Sequence, residues 1–472
     1  MRRLASFAAG LAMMLSGPMA LAASHLTSVE VREVRPDKTY AGVAYVRVSG
    51  TVHGVVSPGD NVVGLERLPK NAAGDYEYAS GFEIIAPAAG QPVNEAIYID
   101  SENRGSAVSQ GALGGFLQNH ATSYARVQWQ TGVSPGVPAN AQGVGLVIMR
   151  DFGRWLAGRA PAQVSGDFKP VAYPKLILGG ISQSAWFVNT FIAEGFNVDP
   201  IGGKRIFDGA IAVDGVGYWL AINRTAFDRG APMQPYVDPD GRPYTRKQML
   251  SRPGTDPFYV DVANYTDYYR LRASFTALDD PGGRFRRYDF PSPHAVGNER
   301  SGARCNNGQP IQFNTLRYAP YMRALVLGLE RQIGVKAAAR AKGLPGSIIF
   351  DLEKAPEKSE FFNPLPAAEL QVPPTDSDGW PLGGVRFPEA DLPLGIPAPV
   401  ALPPVVTTSI AQTCGNMGGF RKFDQAELVR RYRTRTAYRR DYAQRLDKLI
   451  ARGFVLEEDK AALVEAAGAG LP

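Results

Sequence analysis

The chain has only two cysteines, Cys305 and Cys414, and four histidines, none at a ligand spacing such as C-x-x-C or H-E-x-x-H. That excludes the zinc sites a sequence can display, and no phosphate-binding glycine loop is present. No zinc site is therefore visible in the sequence. Two cysteines are also too few for a disulfide scaffold; a Cys305 to Cys414 bridge and two buried free thiols both remain open. Long apolar runs are missing as well. The one near the N-terminus, ending at Leu15, is too short to span a bilayer, so no stable membrane insertion is expected. An excess of one charge sign is slight: 51 Lys and Arg against 45 Asp and Glu give +6, too diffuse to imply nucleic acid as a partner. The densest basic stretch, Arg430 to Arg440, reads as a solvated helix face.

What is present begins with a leader. Arg2 and Arg3, the apolar run and then Ala20-Leu21-Ala22 form a charged region, a hydrophobic region and an A-x-A cleavage site. Residues 1–22 are expected to be a signal peptide, and the protein to be exported, periplasmic or extracellular. The leader carries Arg2 and Arg3 and no acid, so its removal lowers the formal charge from +6 to +4. The remainder, about 450 residues, suits one large enzyme domain or two smaller ones.

From Val29 to Ile99 β-rich runs alternate with turn residues, clearest at Val43 to Val48, Asn61 to Leu65 and Ala96 to Ile99. After that, strand candidates alternate with helical periodicity, the pattern of a parallel sheet with crossover helices. Strands are expected at Ala125 to Trp129, Lys175 to Leu178, Phe207 to Val213, Phe258 to Ala263 and Phe285 to Phe290. Helices are expected at Gly143 to Leu156, Ser184 to Glu194 and Leu316 to Ile333. A polar stretch at about 223–256 interrupts the alternation and reads as an inserted lid. The division is then a β-rich part at 23–100, a catalytic core at 101–340, a proline-rich wrap at 341–424 and a helical segment at 425–472. The proline-rich tract shows no convincing element, and one helix is expected from Gln425 to Ala451.

Leu176-Ile-Leu-Gly-Gly-Ile-Ser-Gln-Ser184 runs from an apolar strand through a glycine pair and a serine into a helix. A serine on so sharp a strand-to-helix turn needs small residues two places to either side, and Gly180 and Ser184 meet that demand. Ser182 is the expected nucleophile. Its partners should follow in the order acid, then histidine. Of His25, His53, His120 and His294, only His294 lies downstream, which makes it the expected base. For the acid, Asp267 follows the strand at Phe258 to Ala263 and is favoured over Asp261 and Asp214. Oxyanion donors are expected from the Gln183 N–H and from Asn103, Arg104 or Gly105 in the loop after Ala96 to Ile99. Gln130 is a candidate pocket residue, and Trp129 reads as core.

These residues resemble a bacterial family known simply as "alpha/beta hydrolase domain". The likeness runs from about Tyr45 to Leu463 through Glu102-Asn-Arg-Gly105, Trp129-Gln130, Gly180-Ile-Ser-Gln-Ser184, Phe207-Asp-Gly209, Thr266-Asp267, Ser292-Pro-His294, Gly384-Val-Arg-Phe-Pro388 and Leu392-Pro-Leu-Gly395. Similar sequences continue the elbow with glycine and arginine, where this chain has Ala185 and Trp186, and often carry a glutamate where it has Tyr265. The resemblance implies an α/β-hydrolase fold, with a mostly parallel central sheet, flanking helices, a β-rich N-terminal part and an inserted cap. It also implies hydrolysis of an ester or related acyl bond by Ser182 and His294 without a cofactor. The expected partner is a small-molecule ester or related acyl substrate. An amide or peptide hydrolase, and a catalytically silent ligand-binding protein on the same frame, are the competing readings.

Overall fold

The computed structural model describes residues 23–130 except 61, 141, 143–223 except 217 and 221, 235–236, 245–295 except 280, 312–355, 370–399 and 415–471. The expected leader and both cysteines lie outside these residues. Ten strands form one sheet: β1 (His25–Tyr40), β2 (Val43–Val56), β3 (Tyr76–Pro87), β4 (Ala96–Ser101), β5 (Thr122–Val127), β6 (Gln163–Ser165), β7 (Lys175–Ile181), β8 (Gly209–Val213), β9 (Phe258–Asn264) and β10 (Phe285–Phe290). Their spatial order is β10-β9-β8-β7-β4-β5-β3-β2-β1-β6. The six strands from β10 to β5 are mutually parallel, whereas β5-β3-β2-β1 pair antiparallel.

The parallel strands bury both faces, as crossover helices require. Along β7, Leu176 and Leu178 enter one apolar cluster while Ile177 enters the other. Along β8, Ala210 and Ala212 alternate with Ile211 and Val213 in the same way. This period of two sorts the side chains onto opposite faces. On one face lie α1 (Val144–Leu156), buried along its whole length, and α2 (Gln183–Ala193). On the other lie α3 (Ala319–Gln332) and a C-terminal helix bearing Tyr438, Tyr442, Leu446 and Leu449. All six parallel strands end at one edge, and the chain leaves β4, β7, β8 and β9 there into loops or helices.

Three local expectations differ. No strand forms over the described part of Asn61 to Leu65; Val62 and Leu65 are buried in an irregular turn that enters a short 3-10 helix at Leu65–Arg67. Apolar residues here plug the core without pairing. The expected Gln425 to Ala451 helix is two helices, Gln425–Tyr432 and Arg435–Arg452. Arg433 stands at φ +61 between them, and Thr434 caps the second by accepting from the Ala437 N–H. The proline-rich tract, where described, contains short elements: Gln371–Val372 pairs with Glu353–Lys354, and Gly395–Ala398 pairs with Gly419–Lys422. Of the expected lid, 224–234 and 237–244 lie outside the described residues. Its distal end is anchored, because Arg246 is buried against Asp261.

Candidate active site

Ser182 follows β7 at φ 59, ψ −123 and directly precedes α2. A non-glycine residue rarely holds positive φ, and here the neighbours enforce it. The Ser182 N–H is held by Val213 O at 2.9 Å, prolonging the β7–β8 pairing past the strand end, while Ser182 O receives the Ala185 and Trp186 N–H groups of α2. A Cβ on Gly180 would stand 2.5 Å from the Ser184 carbonyl, so only glycine fits that close approach. Ser184 is more than a tolerated small residue. Its hydroxyl donates to Ile181 O at 2.9 Å and accepts from the Ile181 N–H at 2.8 Å, bracing the residue before Ser182.

His294 comes from the loop after β10. Its Nε2 lies 2.8 Å from Ser182 Oγ, and its Nδ1 lies 2.8 Å from Asp267 Oδ1. The loop is held by the His294 N–H donating to Thr266 Oγ1 at 2.8 Å and by the Tyr265 N–H donating to Ser292 O at 3.0 Å. Asp267 sits in the first turn of the helix Tyr265–Arg270, where its Oδ2 accepts the Asn264 N–H at 2.8 Å. The imidazole and carboxylate are almost fully buried, whereas Ser182 is partly open.

Of the rival acids, Asp214 comes within 3.6 Å of His294 Nδ1. Asp261 is elsewhere: it pairs with Arg246 at 2.5 Å and Arg287 at 3.1 Å, all three buried. Tyr265 is buried in edge-on contacts with Tyr269 and Phe350.

Electrostatics follow the burial. Burial drives the His294 imidazole below its ordinary range, and the opposing pull of Asp267 does not cancel it. Burial also pushes the Asp267 carboxyl up, but the charge of His294 and its hydrogen bonds hold it below the usual carboxylate range. Burial pulls the Arg270 guanidinium, one helical turn beyond Asp267, below its usual range.

The loop after β4 is a tight turn. The Asn103 N–H donates to Ser106 O at 2.9 Å, the Ser106 N–H returns the bond, and Arg104 and Gly105 occupy the corner at φ 50 and 78. Of the three candidate donors Asn103, Arg104 and Gly105, the Asn103 N–H is engaged in closing the turn. Its side chain instead donates to Ile181 O at 3.2 Å, tying the turn to the elbow. Gln183 opens α2, at the positive end of the helix dipole. Trp129 stacks on Phe187 and donates to Glu102 O at 2.9 Å, a core role, while Gln130 is buried.

Among the described residues, the one grouping with metal-ligand character is Asp214, Asp267 and His294. A metal there would need the Nδ1 lone pair, whereas the 2.8 Å contact with Asp267 needs a proton on that nitrogen. The three groups fit proton sharing better than metal binding.

A family model described as "Alpha/beta hydrolase domain" matches residues 19–465. No curated protein matches the sequence. Among solved structures, the chain is similar to a glucuronoyl esterase from Teredinibacter turnerae, with 14% identity, TM-score 0.25, and coverage of 43% of this chain and 49% of that one. It is similar to an α/β serine hydrolase without a lid from Xanthomonas campestris, at 12% identity and TM-score 0.27, covering 46% and 80%. A third is a carboxyl esterase from the fungus Tuber melanosporum, at 11% identity and TM-score 0.28, covering 47% and 74%. The chain spans about half the length of the first of these.

Proposed function

The chain belongs to the alpha/beta hydrolase domain family, and from that premise we propose that it is a serine hydrolase cleaving carboxylic esters through an acyl-enzyme. The observation that carries the reading is the unbroken line from Ser182 Oγ through His294 to Asp267, each link 2.8 Å long. Ser182 attacks the acyl carbon as His294 Nε2 takes its proton. Asp267 fixes the Nδ1–H tautomer and stabilises the imidazolium. The same proton then passes to the leaving alkoxide, and water, activated by His294, releases the acid and restores Ser182. The Gln183 N–H, with Arg104 or Gly105 at the corner of the tight turn, serves the developing oxyanion.

A fluorophosphonate probe followed by peptide mapping tests this directly. Labelling at Ser182, abolished by Ser182→Ala, is expected; an unlabelled Ser182 in folded protein would favour a silent ligand-binding role. Ester and amide panels then separate the two hydrolytic chemistries. On esters, Ser182→Ala should lower kcat by about 10³ to 10⁶, as loss of a nucleophile does elsewhere. Export is proposed on the charge and apolar pattern of residues 1–22. The mature protein recovered outside the cytoplasm should begin near Ala23.

A further inference from the structure

Asp214 directly follows β8 at φ +62, and its carboxyl shares a fully buried space with Asp267 beneath His294. Ligating atoms of the three residues all lie within 4.8 Å of one another. The two carboxyls are supplied unequally. Asp267 accepts from His294 Nδ1 at 2.8 Å and from the Asn264 N–H at 2.8 Å. Asp214 Oδ1 accepts from Asn264 Nδ2 at 2.6 Å, but its Oδ2, 3.6 Å from His294 Nδ1, has no hydrogen-bond donor among the described residues.

Two ionised carboxylates in such a space repel strongly, so the pair retains one proton. A proton on Asp214 Oδ2 resolves both problems. It removes the repulsion, and it turns an acceptor without a donor into a donor facing Asp267. We infer that Asp214 is a neutral, proton-bearing positioning residue whose hydroxyl donates to Asp267 and holds that carboxylate against His294. The inference rests on the reading of Ser182, His294 and Asp267 as a working relay.

The surroundings agree. Burial, reinforced by the charge of Asp267, raises Asp214 well above the carboxylate range, and the bond between the two acids helps to keep Asp267 low. The groups facing Asp214 are Asp267 and Arg270 from one helix, Asn264 from the end of β9, His294 from its loop and Tyr318 ahead of α3. Trp186 of α2 meets only its carbonyl, at 3.2 Å. Among the described residues, Arg270 is the one cation of this group, acting on Asp214 by charge without a direct ion pair.

Asp214→Asn and Asp214→Ala separate the roles. Asparagine tolerates positive φ and offers an N–H in place of the O–H. Asp214→Asn should keep kcat within about fivefold of wild type and leave the acid limb of kcat/KM unmoved, because a neutral group replaces a neutral group. Asp214→Ala should lower kcat about 10- to 100-fold at unchanged KM, the worth of one hydrogen bond to a charged group. Urea titrations of both variants correct the rates for folded fraction. At neutral pH the wild type should show an infrared band of a protonated carboxyl that Asp214→Asn specifically removes. Were Asp214 ionised, that band would be missing and Asp214→Asn would lower the acid limb by about one pH unit or more. Either result, or equal rates for the two variants, overturns the inference. An inert wild-type protein would sink the hydrolase reading alone, since the infrared band reports the Asp214 proton without turnover.

Discussion

Ser182 Oγ and His294 Nε2, 112 positions apart in sequence, meet at 2.8 Å because two strand ends deliver them to the same edge of the sheet. Neither backbone can drift without breaking specific bonds. Val213 holds the Ser182 N–H and Thr266 holds the His294 N–H.

The acids around this pair should respond differently to neutralisation. Asp267→Asn keeps the shape of the site but loses the Nδ1–H tautomer, so kcat should fall by about 10⁴ in a folded enzyme. Asp261→Asn leaves Arg246 and Arg287 buried with a weakened partner, which should cost about 3–5 kcal/mol of stability. Rates per folded molecule should change little. Chemical denaturation beside steady-state kinetics on the two variants checks both statements, and a reversed pattern would reassign the acid.

The pH profile carries its own sign. His294 accepts a proton only when neutral, and burial, outweighing Asp267, lowers its affinity for the proton below that of an ordinary imidazole. The acid limb of kcat/KM should therefore lie below the usual histidine range. A limb at or above that range would show that Asp267 outweighs burial.

At the elbow, Ser184→Gly should preserve a working nucleophile while removing two hydrogen bonds to Ile181. A loss of about 1–3 kcal/mol is expected, together with the penalty of a glycine in the first turn of α2. Gly180→Ala should be far worse, because the Ser184 backbone occupies the space. Melting curves and probe labelling of both variants decide.

Away from the site, Glu330 is buried on α3 with Thr122 Oγ1 at 2.8 Å, and burial, against that hydrogen bond, raises its carboxyl to about 8. Because the folded pKa lies above the unfolded one, the neutral form stabilises the fold at acid pH. That contribution disappears as pH rises through the interval from ordinary carboxylate values to about 8. Glu330→Gln should then melt above wild type at pH near 8 and lose most of that advantage near pH 5. A constant gap would remove titration as the cause.

The elbow was legible in sequence because sterics impose it: a sharp turn demands Gly180 and a small residue at 184 whatever surrounds it. His294 was legible through scarcity, being the only histidine after Ser182. The acids were not separable in this way. Asp214, Asp261 and Asp267 all sit in or after parallel strands, and which carboxyl faces the imidazole depends on strand alternation and helix phase in three dimensions. The strand expected near Val62 failed because burial, rather than pairing, explains its apolar run. The short strands at Gly395–Ala398 and Gly419–Lys422 find each other across a long separation, a pairing that no local pattern encodes.

Tyr438, Tyr442, Leu446 and Leu449 belong to the apolar cluster on one side of the sheet, and they are made after every strand of that sheet. Until they arrive, the part of that cluster that α3 leaves uncovered faces solvent or a second nascent molecule. A ribosome halted before residue 435 thus holds an adhesive intermediate for chaperones to shield, and stop codons in that region should yield aggregates instead of a shorter folded chain.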